Sequence, residues 1–365
     1  MTELTCVESF CGAGGMAIGL KEAGYDIKLA FDLNEFAVET YKGSVGEECI
    51  VADASKLTVK EILKKSGLEA GELGLFTGGP PCQGFSKQRR GAHIFDDPRN
   101  QLINDYIRFV KGLKPKAFIL ENVAVFGQKR GKKHLEELGN ILSHYKLFPH
   151  FYNAADYGVP QTRERFILVG IDKKFALPYI KPNSTVKKWK TVGETLKGLP
   201  EPPKDYSVHK KYFNHQAARV TQANIERFSY VPQGGGWQDI PYDLRLECHK
   251  NTDVKSGGWP DVYGRLKWDG QCPTITGGFD SFTRGRYGHP LKDRPLTPRE
   301  AARIQGFPDS VGFKGARQEV RYQIGNAVPP PLAFAIGLQI ARVLEGDESI
   351  YDDCENGELL QAALF

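Results

Sequence analysis

The sequence predicts an α/β fold: a mostly parallel β-sheet covered by helices on both faces, followed by a smaller, loop-rich domain. Three observations carry this expectation. Short apolar runs alternate with helix-period stretches up to Gly170, the pattern of repeated βαβ units. Several of those runs end in an acidic residue or a glycine turn. After about residue 171 the periodicity fades, and Pro, Gly and aromatic residues become frequent.

Leu4 to Phe10 is a strand that runs into the turn Gly12-Ala13-Gly14-Gly15, and Met16 to Ala23 is a helix stopped by Gly24. Ile27 to Phe31 is a second strand, closed by Asp32. Glu35 to Tyr41 is helical, and Cys49 to Ala52 is a third strand, closed by Asp53. Leu73 to Thr77 is a fourth, followed by Gly78-Gly79-Pro80-Pro81. Residues 101–112 form a helix, Ala117 to Leu120 a fifth strand closed by Glu121, 132–144 another helix, and Phe166 to Gly170 a further strand. Beyond 171 only short strand-like pieces such as Pro273-Thr274-Ile275-Thr276 recur. Thr297 to Ile304 is a helix whose capping box is Thr297 with Glu300. Leu332 to Leu344 is an apolar helix expected to pack back onto the first domain, and Glu358 to Leu364 is a candidate final helix.

Composition narrows the class. The 365 residues carry 49 − 44 = +5 charges, too weak an excess to establish a nucleic-acid partner by itself. Seven cysteines are scattered without a CxxC pair, and the eight histidines are dispersed, so neither a disulfide scaffold nor a structural zinc site is expected. No uninterrupted apolar run reaches the ~18 residues of a membrane span.

Parallel sheets bind ligands at the carboxyl ends of their strands, and Asp32, Asp53, Cys82 and Glu121 all fall at or just beyond such ends. Ser9 to Gly15 is a glycine turn without the dinucleotide fingerprint and without the lysine of a phosphate loop. With Asp32 able to accept from ribose hydroxyls and Asp53 from an exocyclic amine, the pattern suits a nucleoside cofactor lacking phosphates. A tight turn with solvated caps is the plainer alternative. Pro80-Pro81 hold Cys82 rigidly after a strand, which marks it as a candidate nucleophile; a buried structural cysteine is the alternative. The stretch Ser86 to Asn100, with Lys87, Arg89, Arg90, His93 and Arg99, reads as a phosphate-contacting loop. Glu121-Asn122-Val123 ends an apolar strand. In Gln161-Thr162-Arg163-Glu164-Arg165 the two arginines, two apart in an extended segment, are expected to point the same way. Arg165 can donate to a base carbonyl, and Arg163 can hold a phosphate or the cysteine loop.

Together these motifs resemble those of the bacterial DNA (cytosine-5)-methyltransferases of restriction–modification systems, in the family's order and over nearly the whole chain. The matching stretches are Ser9 to Gly15, Asp32, Asp53, Gly79 to Ser86, 121–123, 161–165, Arg294 to Pro308 and Gly325-Asn326-Ala327-Val328-Pro329. Ser9 and Cys11 depart from the commoner Leu and Ala, and Asp32 stands where Glu is more usual.

The resemblance implies a Rossmann-like S-adenosylmethionine-dependent methyltransferase sheet with a target recognition domain. The implied division is 1–171 for catalysis and cofactor, 172–290 for recognition, 291–345 returning to the catalytic domain, and 346–365 as a tail. It implies methyl transfer from S-adenosyl-L-methionine to C5 of a flipped cytosine in double-stranded DNA, through a bond from Cys82 to C6. The implied catalytic residues are Cys82, Glu121, Arg163 and Arg165. Those implied for the cofactor are Phe10, Cys11, Gly12, Ala13, Gly14, Asp32, Leu33, Asp53, Ala54, Pro81, Asn326 and Val328. Candidate DNA contacts are Gln83, Ser86, Arg89, Arg90, Arg99, Gln233, Trp237, Arg284 and Arg286, with Trp237 in a loop able to fill the gap left by a flipped base. The lysines at 187, 188, 190, 210 and 211 are further candidates. No metal is expected. A cognate restriction endonuclease, a monomeric state, no membrane association and the cytoplasm of a bacterial or archaeal cell complete the expectation. A tRNA cytosine-5 methyltransferase and a silent DNA-binding relative are the alternatives; the long 172–290 segment opposes the first, and Cys82 together with Glu121 and Arg165 opposes the second.

Overall fold

The computed structural model describes residues 3–81, 101–121, 131–252 and 261–353. The chain forms two compact units. The first runs to Asn153, resumes over Glu164–Thr185 and takes up the chain again from Pro330; the second holds Ala154–Arg163 and Val186–Pro329. This division differs from the one read from sequence. Residues 154–163 lie in the second unit because the chain leaves the first sheet after Asn153 and returns at Glu164, and 291–329 lie there because after Thr185 the chain does not return to the first unit until Pro330.

The first unit is a seven-stranded sheet in the order β3-β2-β1-β4-β5-β8-β6. Its strands are β1 (Thr5–Ser9), β2 (Asp26–Asp32), β3 (Cys49–Val51), β4 (Leu75–Gly78), β5 (Ala117–Glu121), β6 (Tyr145–Asn153) and β8 (Glu164–Asp172). The first five are mutually parallel, while β8 runs antiparallel to both β5 and β6. The helices are α1 (Gly15–Glu22), α2 (Glu35–Ser44), α3 (Val59–Ser66), α4 (Gln101–Leu113), α5 (Gly131–Ile141) and, from the chain's last part, α11 (Pro330–Glu345).

Side chains alternate between the two faces of the sheet. Val7, Phe31, Phe76, Phe118, Leu120 and Leu168 form one core layer with Ile62 of α3 and Ile103, Tyr106 and Val110 of α4. The spacing of the α4 residues puts them on one helical stripe. The other face, which carries Glu8, Thr77 and Glu121, receives α1, whose Met16 sulfur meets the Thr77 hydroxyl at 2.5 Å.

Two elements of the first unit escape the sequence reading. α3 carries its own capping box, Thr58 with Glu61, which is a legible signal. β6 has Pro149 at its middle and no clean alternation of burial; it survives because it is an edge strand, where a missing N–H leaves no ladder bond unmade. The candidate helix Glu358 to Leu364 lies outside the described residues.

The second unit contains α6 (Val192–Leu196), α7 (Gln222–Ser229), α8 (Glu247–Lys250), α9 (Pro298–Ile304), α10 (Arg317–Asn326) and two short strands paired in parallel, β7 (Gln161–Thr162) and β9 (Cys272–Pro273). The capping box read at Thr297 and Glu300 is formed. An aromatic cluster of Phe228, Trp237, Tyr263 and Phe282 supplies a small core. The stretch Arg317–Glu345 contains a window apolar enough to cross a membrane by composition, but 72% of that window is buried inside the protein, as in a core helix.

α11 packs on α1 without room between them. A Cβ at Gly19 would stand 2.6 Å from the Phe334 amide nitrogen and 2.9 Å from the Ala333 Cβ. A Cβ at Gly337 would stand 2.7 Å from a Leu20 methyl. Gly19→Val is therefore expected to destabilise the protein by about 1–3 kcal/mol or more, the scale of overpacking, seen as a lower midpoint in urea unfolding. An unchanged midpoint would mean that this contact is not close-packed.

Candidate active site at the carboxyl edge of the sheet

The turn after β1 is wound tightly. Phe10, Gly12 and Gly14 have φ of 53°, 52° and 84°, the left-handed region. Gly14 is needed twice, since its Cβ would also fall 2.6 Å from a Val45 methyl. At Gly12 nothing lies within 4 Å of where a Cβ would stand. Phe10 is not a glycine, so its conformation costs on the order of 1 kcal/mol; its ring packs against the core. Two of the departures from the usual motif have physical roles. The buried Ser9 hydroxyl donates to the Thr77 carbonyl at 3.1 Å, and the Cys11 sulfur lies 3.5 Å from that of Cys49. Ala13 is buried.

Asp32 closes β2 and braces the turn. One carboxylate oxygen accepts from the Gly12 amide and the other from the Asn34 amide, each at 2.9 Å. Each oxygen keeps a further lone pair. Leu33 beside it is 70% exposed, so this large apolar side chain serves no core. Asp53 accepts from the Ser55 amide and hydroxyl at 3.0 and 2.7 Å, which hold its carboxyl below its ordinary pKa. Ala54 belongs to the core.

Glu121 ends β5, and it is 5% exposed. Its carboxylate meets the Arg165 Nε at 3.1 Å. The antiparallel register explains this. Glu121 pairs with Ile167, so Arg165 is the diagonal neighbour two residues on and shares its face. Burial pulls the Arg165 guanidinium below its ordinary value, and the Glu121 carboxylate opposes that pull. The chain from β4 passes directly beside the pair, because a Cβ at Gly79 would stand 2.8 Å from a Glu121 oxygen. Pro80 is buried and Pro81 exposed. Cys82, Gln83, Ser86, Arg89, Arg90 and Arg99 lie outside the described residues.

Arg163 does not share this place. It belongs to the second unit, is 1% exposed, and donates to the carbonyls of Ile275 and Gly325 at 3.0 and 2.9 Å. The expectation that Arg163 and Arg165 point together is corrected: β7 ends at Thr162 and β8 begins at Glu164, so the chain changes sheets between the two arginines. Its neighbour Gln161 donates to Gln305 and accepts from the Ile275 amide, and Gln305 in turn donates to the Ile324 and Ala327 carbonyls. In the same unit Asn326 is exposed and Val328 half-buried.

Trp237 is also corrected. It is 2% exposed and stacks on His249 at 4.9 Å, so it is a core residue of the second unit rather than the tip of a loop. Gln233 is exposed and its side-chain oxygen accepts from the Trp268 amide. Arg284 is exposed, whereas Arg286 is tied to Asp261 at 2.6 Å.

A model of the C-5 cytosine-specific DNA methylase family matches residues 4–342. The chain belongs to this family. It is therefore an S-adenosylmethionine-dependent DNA (cytosine-5)-methyltransferase acting on double-stranded DNA. It is 36% identical over 343 residues to the type II methyltransferase M.PspPI of a Psychrobacter species, covering 93% of this chain and 79% of that protein. It is 32% identical over 353 residues to the type II methylase M.HgiDII of Herpetosiphon aurantiacus, covering 93% and 96%. A crystal structure of a prophage-encoded DNA modification methyltransferase from E. coli is similar with a TM-score of 0.68 at 27% identity, over 94% of this chain and 99% of that one. For this methyltransferase the turn at Phe10–Gly14 fits the cofactor. It offers open space at Gly12 and a braced carboxylate at Asp32, and it holds no lysine or arginine to anchor phosphates.

Beneath the turn lies a group that sequence reading passed over. Glu8, a charged residue inside the otherwise apolar β1, is 3% exposed and takes a hydrogen bond from the Tyr41 hydroxyl at 3.3 Å. Burial raises its carboxyl to about 8, the Tyr41 bond working against this and the Asp32 charge with it. The folded protein thus keeps a proton that the unfolded chain, with an ordinary value near 4.5, releases. Stability from this group is full at low pH and is lost as pH rises from 4.5 through about 8. Glu8→Gln should erase that loss: melting temperatures of mutant and wild type should diverge in the mutant's favour as pH rises across this window. Parallel curves would show that Glu8 is ionised throughout.

Proposed function

We propose that this methyltransferase acts on a cytosine flipped out of a specific DNA sequence, through a covalent bond between Cys82 and C6. The observation that carries the reading is the buried Glu121–Arg165 pair, with the Gly79 backbone beside it leading through Pro80 and Pro81 to Cys82. C5 of cytosine is a weak nucleophile. Addition of the Cys82 thiolate to C6 moves the ring's electrons so that C5 becomes enamine-like. Glu121 in its acid form donates to N3 and accepts from the N4 amine, and Arg165 donates to O2. After methyl transfer C5 loses its proton and the Cys82 thiolate is expelled.

The cofactor, when bound, supplies an electrophilic methyl group. Asp32 would hold its ribose hydroxyls, with Phe10 near the adenine or methionine part and Leu33 beside it, and Asp53 would take the exocyclic amine. Gly12, Ala13 and Gly14 would let the backbone approach, and Cys11, Ala54 and Pro81 would complete the binding within the first unit. The N-terminus of α1 carries no acidic residue in its first turn and suits the methionine carboxylate. The second unit reads the sequence, with Arg284 and Gln233 among the contacts, and Gln83, Ser86, Arg89, Arg90 and Arg99 are further DNA contacts. The protein acts as a monomer in a bacterial or archaeal cytoplasm, beside an endonuclease with the same target. The free cysteines among the described residues and the type II relatives support this setting.

DNA with 5-fluorocytosine at the target should trap the adduct, since fluorine cannot leave C5 as a proton does. A band of bound DNA on a denaturing gel is expected for wild type with cofactor and not for Cys82→Ala; an adduct in the variant would refute the role of Cys82. Glu121→Gln keeps the shape and removes the acid. Single-turnover methylation should fall roughly 10²-fold or more, the scale of a positioned acid, while cofactor affinity stays near wild type.

A further inference from the structure

The turn that follows β3 is held from outside the sheet. β3 is three residues long and is the sheet's outermost strand, so little ladder extends past Val51. The Ala52 amide makes one more bond, to the Asp32 carbonyl at 2.9 Å. Asp53 then opens a turn in which its own carbonyl accepts from the Lys56 and Leu57 amides, both at 3.0 Å. Two further carbonyls of this turn are taken by Arg108 of α4. Its Nη2 donates to Ala54 and its Nη1 to Leu57, each at 2.9 Å. The guanidinium is itself fixed. Asp105, one helical turn earlier, is 4% exposed, and one of its oxygens accepts from the Arg108 Nε and Nη2 at 3.3 and 3.0 Å. The second Asp105 oxygen is buried and finds no hydrogen-bond donor among the described residues. The Arg108 guanidinium carbon lies 4.4 Å from the centroid of the Phe109 ring, and that ring meets Phe31 and Phe76 in the core.

This is more than a staple between two elements. Burying a carboxylate is costly unless it is paired, and the Asp105 carboxylate is paired with Arg108. The pair aims one planar fork, which can hold two carbonyls at a set separation where a single ammonium cannot. The two carbonyls flank Ser55, whose amide and hydroxyl hold one Asp53 oxygen at 3.0 and 2.7 Å. The other Asp53 oxygen meets the exposed Lys56 ammonium at 3.4 Å. The direction of the Asp53 carboxylate therefore follows from the turn, and the turn is fixed from α4. A side chain that reads one polar group must be held to within about 0.5 Å by the residues behind it. We propose that Arg108, held by Asp105, positions Asp53 for the cofactor's adenine and so sets the preference for an amine over an oxygen at that place on the ring. The inference rests on the reading that Asp53 takes the exocyclic amine. Arg108 is a positioning residue: its bonds go to the backbone of the turn, while Asp53 meets the base.

The test compares the binding of S-adenosyl-L-homocysteine with that of S-inosyl-L-homocysteine, in which an oxygen replaces the exocyclic amine, by isothermal titration calorimetry. Wild type should prefer the adenosyl compound by at least about 10-fold, the scale of a hydrogen bond to a charged group. Asp53→Ala should remove most of that preference. Arg108→Ala and Arg108→Lys should each lower it by about 10-fold as well. Asp53→Ala/Arg108→Ala should lower it no further than Asp53→Ala, since the two residues act through one contact. Lys64→Ala/Lys65→Ala on α3 should keep the wild-type ratio. Both ligands are titrated into the same preparation, so unfolded protein lowers the stoichiometry and leaves the ratio alone. Arg108→Lys, which keeps charge and bulk, serves if Arg108→Ala does not fold. A preference lost in Asp53→Ala but kept in the Arg108 variants, even with both ligands weakened equally, overturns the positioning role and leaves the Asp53 reading intact. A wild type without the preference, or a preference that Asp53→Ala does not change, overturns that reading and the inference with it.

Discussion

The meeting of Glu121 with Arg165 depends on a single reversal of strand direction. In a wholly parallel sheet, the carboxyl edge presents only strand ends. Because β8 runs against β5, its beginning lies at the edge where β5 finishes, and the first turn of one strand can serve the last residue of the other. Neither charge would be cheap to bury alone: desolvation of an unpaired ion costs several kcal/mol. Their side chains keep only 7% and 21% of their exposure, so each offsets part of the other's desolvation. The glycines at 78 and 79 complete the arrangement. A side chain at Gly78 would strike Ser9, and one at Gly79 would strike Glu121, so the path to Pro80-Pro81 can run between those ends only as bare backbone.

The same reversal places a divide inside one short motif. Gln161 and Arg163 serve the second unit, and Arg165 serves the first. The second unit has few ladders to satisfy its backbone, and buried arginines do much of that work. Arg163 binds two carbonyls; Arg265 binds those of Phe228, Val231, His289 and Lys292; Arg299 binds those of Phe213, Pro308 and Val311. Buried carbonyls demand donors, and a guanidinium with five N–H groups answers several loops at once. Arg294 does the equivalent for a carboxylate: it holds the buried Glu300, whose carboxyl is drawn down to about 2 despite its burial, so that the α9 cap stays charged.

How far the sequence could be read follows from where each signal lies. The first unit was legible because its signals are local: apolar strands, the glycine turn, and acids at strand ends. β6 was not, since Pro149 and its uneven burial are tolerated only by virtue of an edge position that no local window reveals. Arg163 was misread because period-2 reasoning assumes one continuous strand, and the sheet change after Thr162 is a long-range event set by pairing with Cys272. Trp237 was misread because glycines before an aromatic look like a loop tip, whereas the ring is held by His249 from a separate helix. Glu8 was the reverse case, a visible anomaly inside an apolar run that went unused.

That anomaly bears on how the cofactor turn is tuned. Glu8, Tyr41, Cys11, Cys49 and Asp32 lie under or beside a loop already bent into left-handed conformations at three residues. A charged Glu8 there would repel Asp32, the carboxylate that braces the Gly12 amide. Burial, aided by the Asp32 charge, raises the Glu8 carboxyl to about 8, which favours its protonated form. The Cys11 and Cys49 sulfurs lie 3.5 Å apart beside it. The turn is therefore specified from below as much as from its own glycines, and this is why a serine and a cysteine can occupy it in place of the commoner leucine and alanine while its hydrogen bonds stay in register.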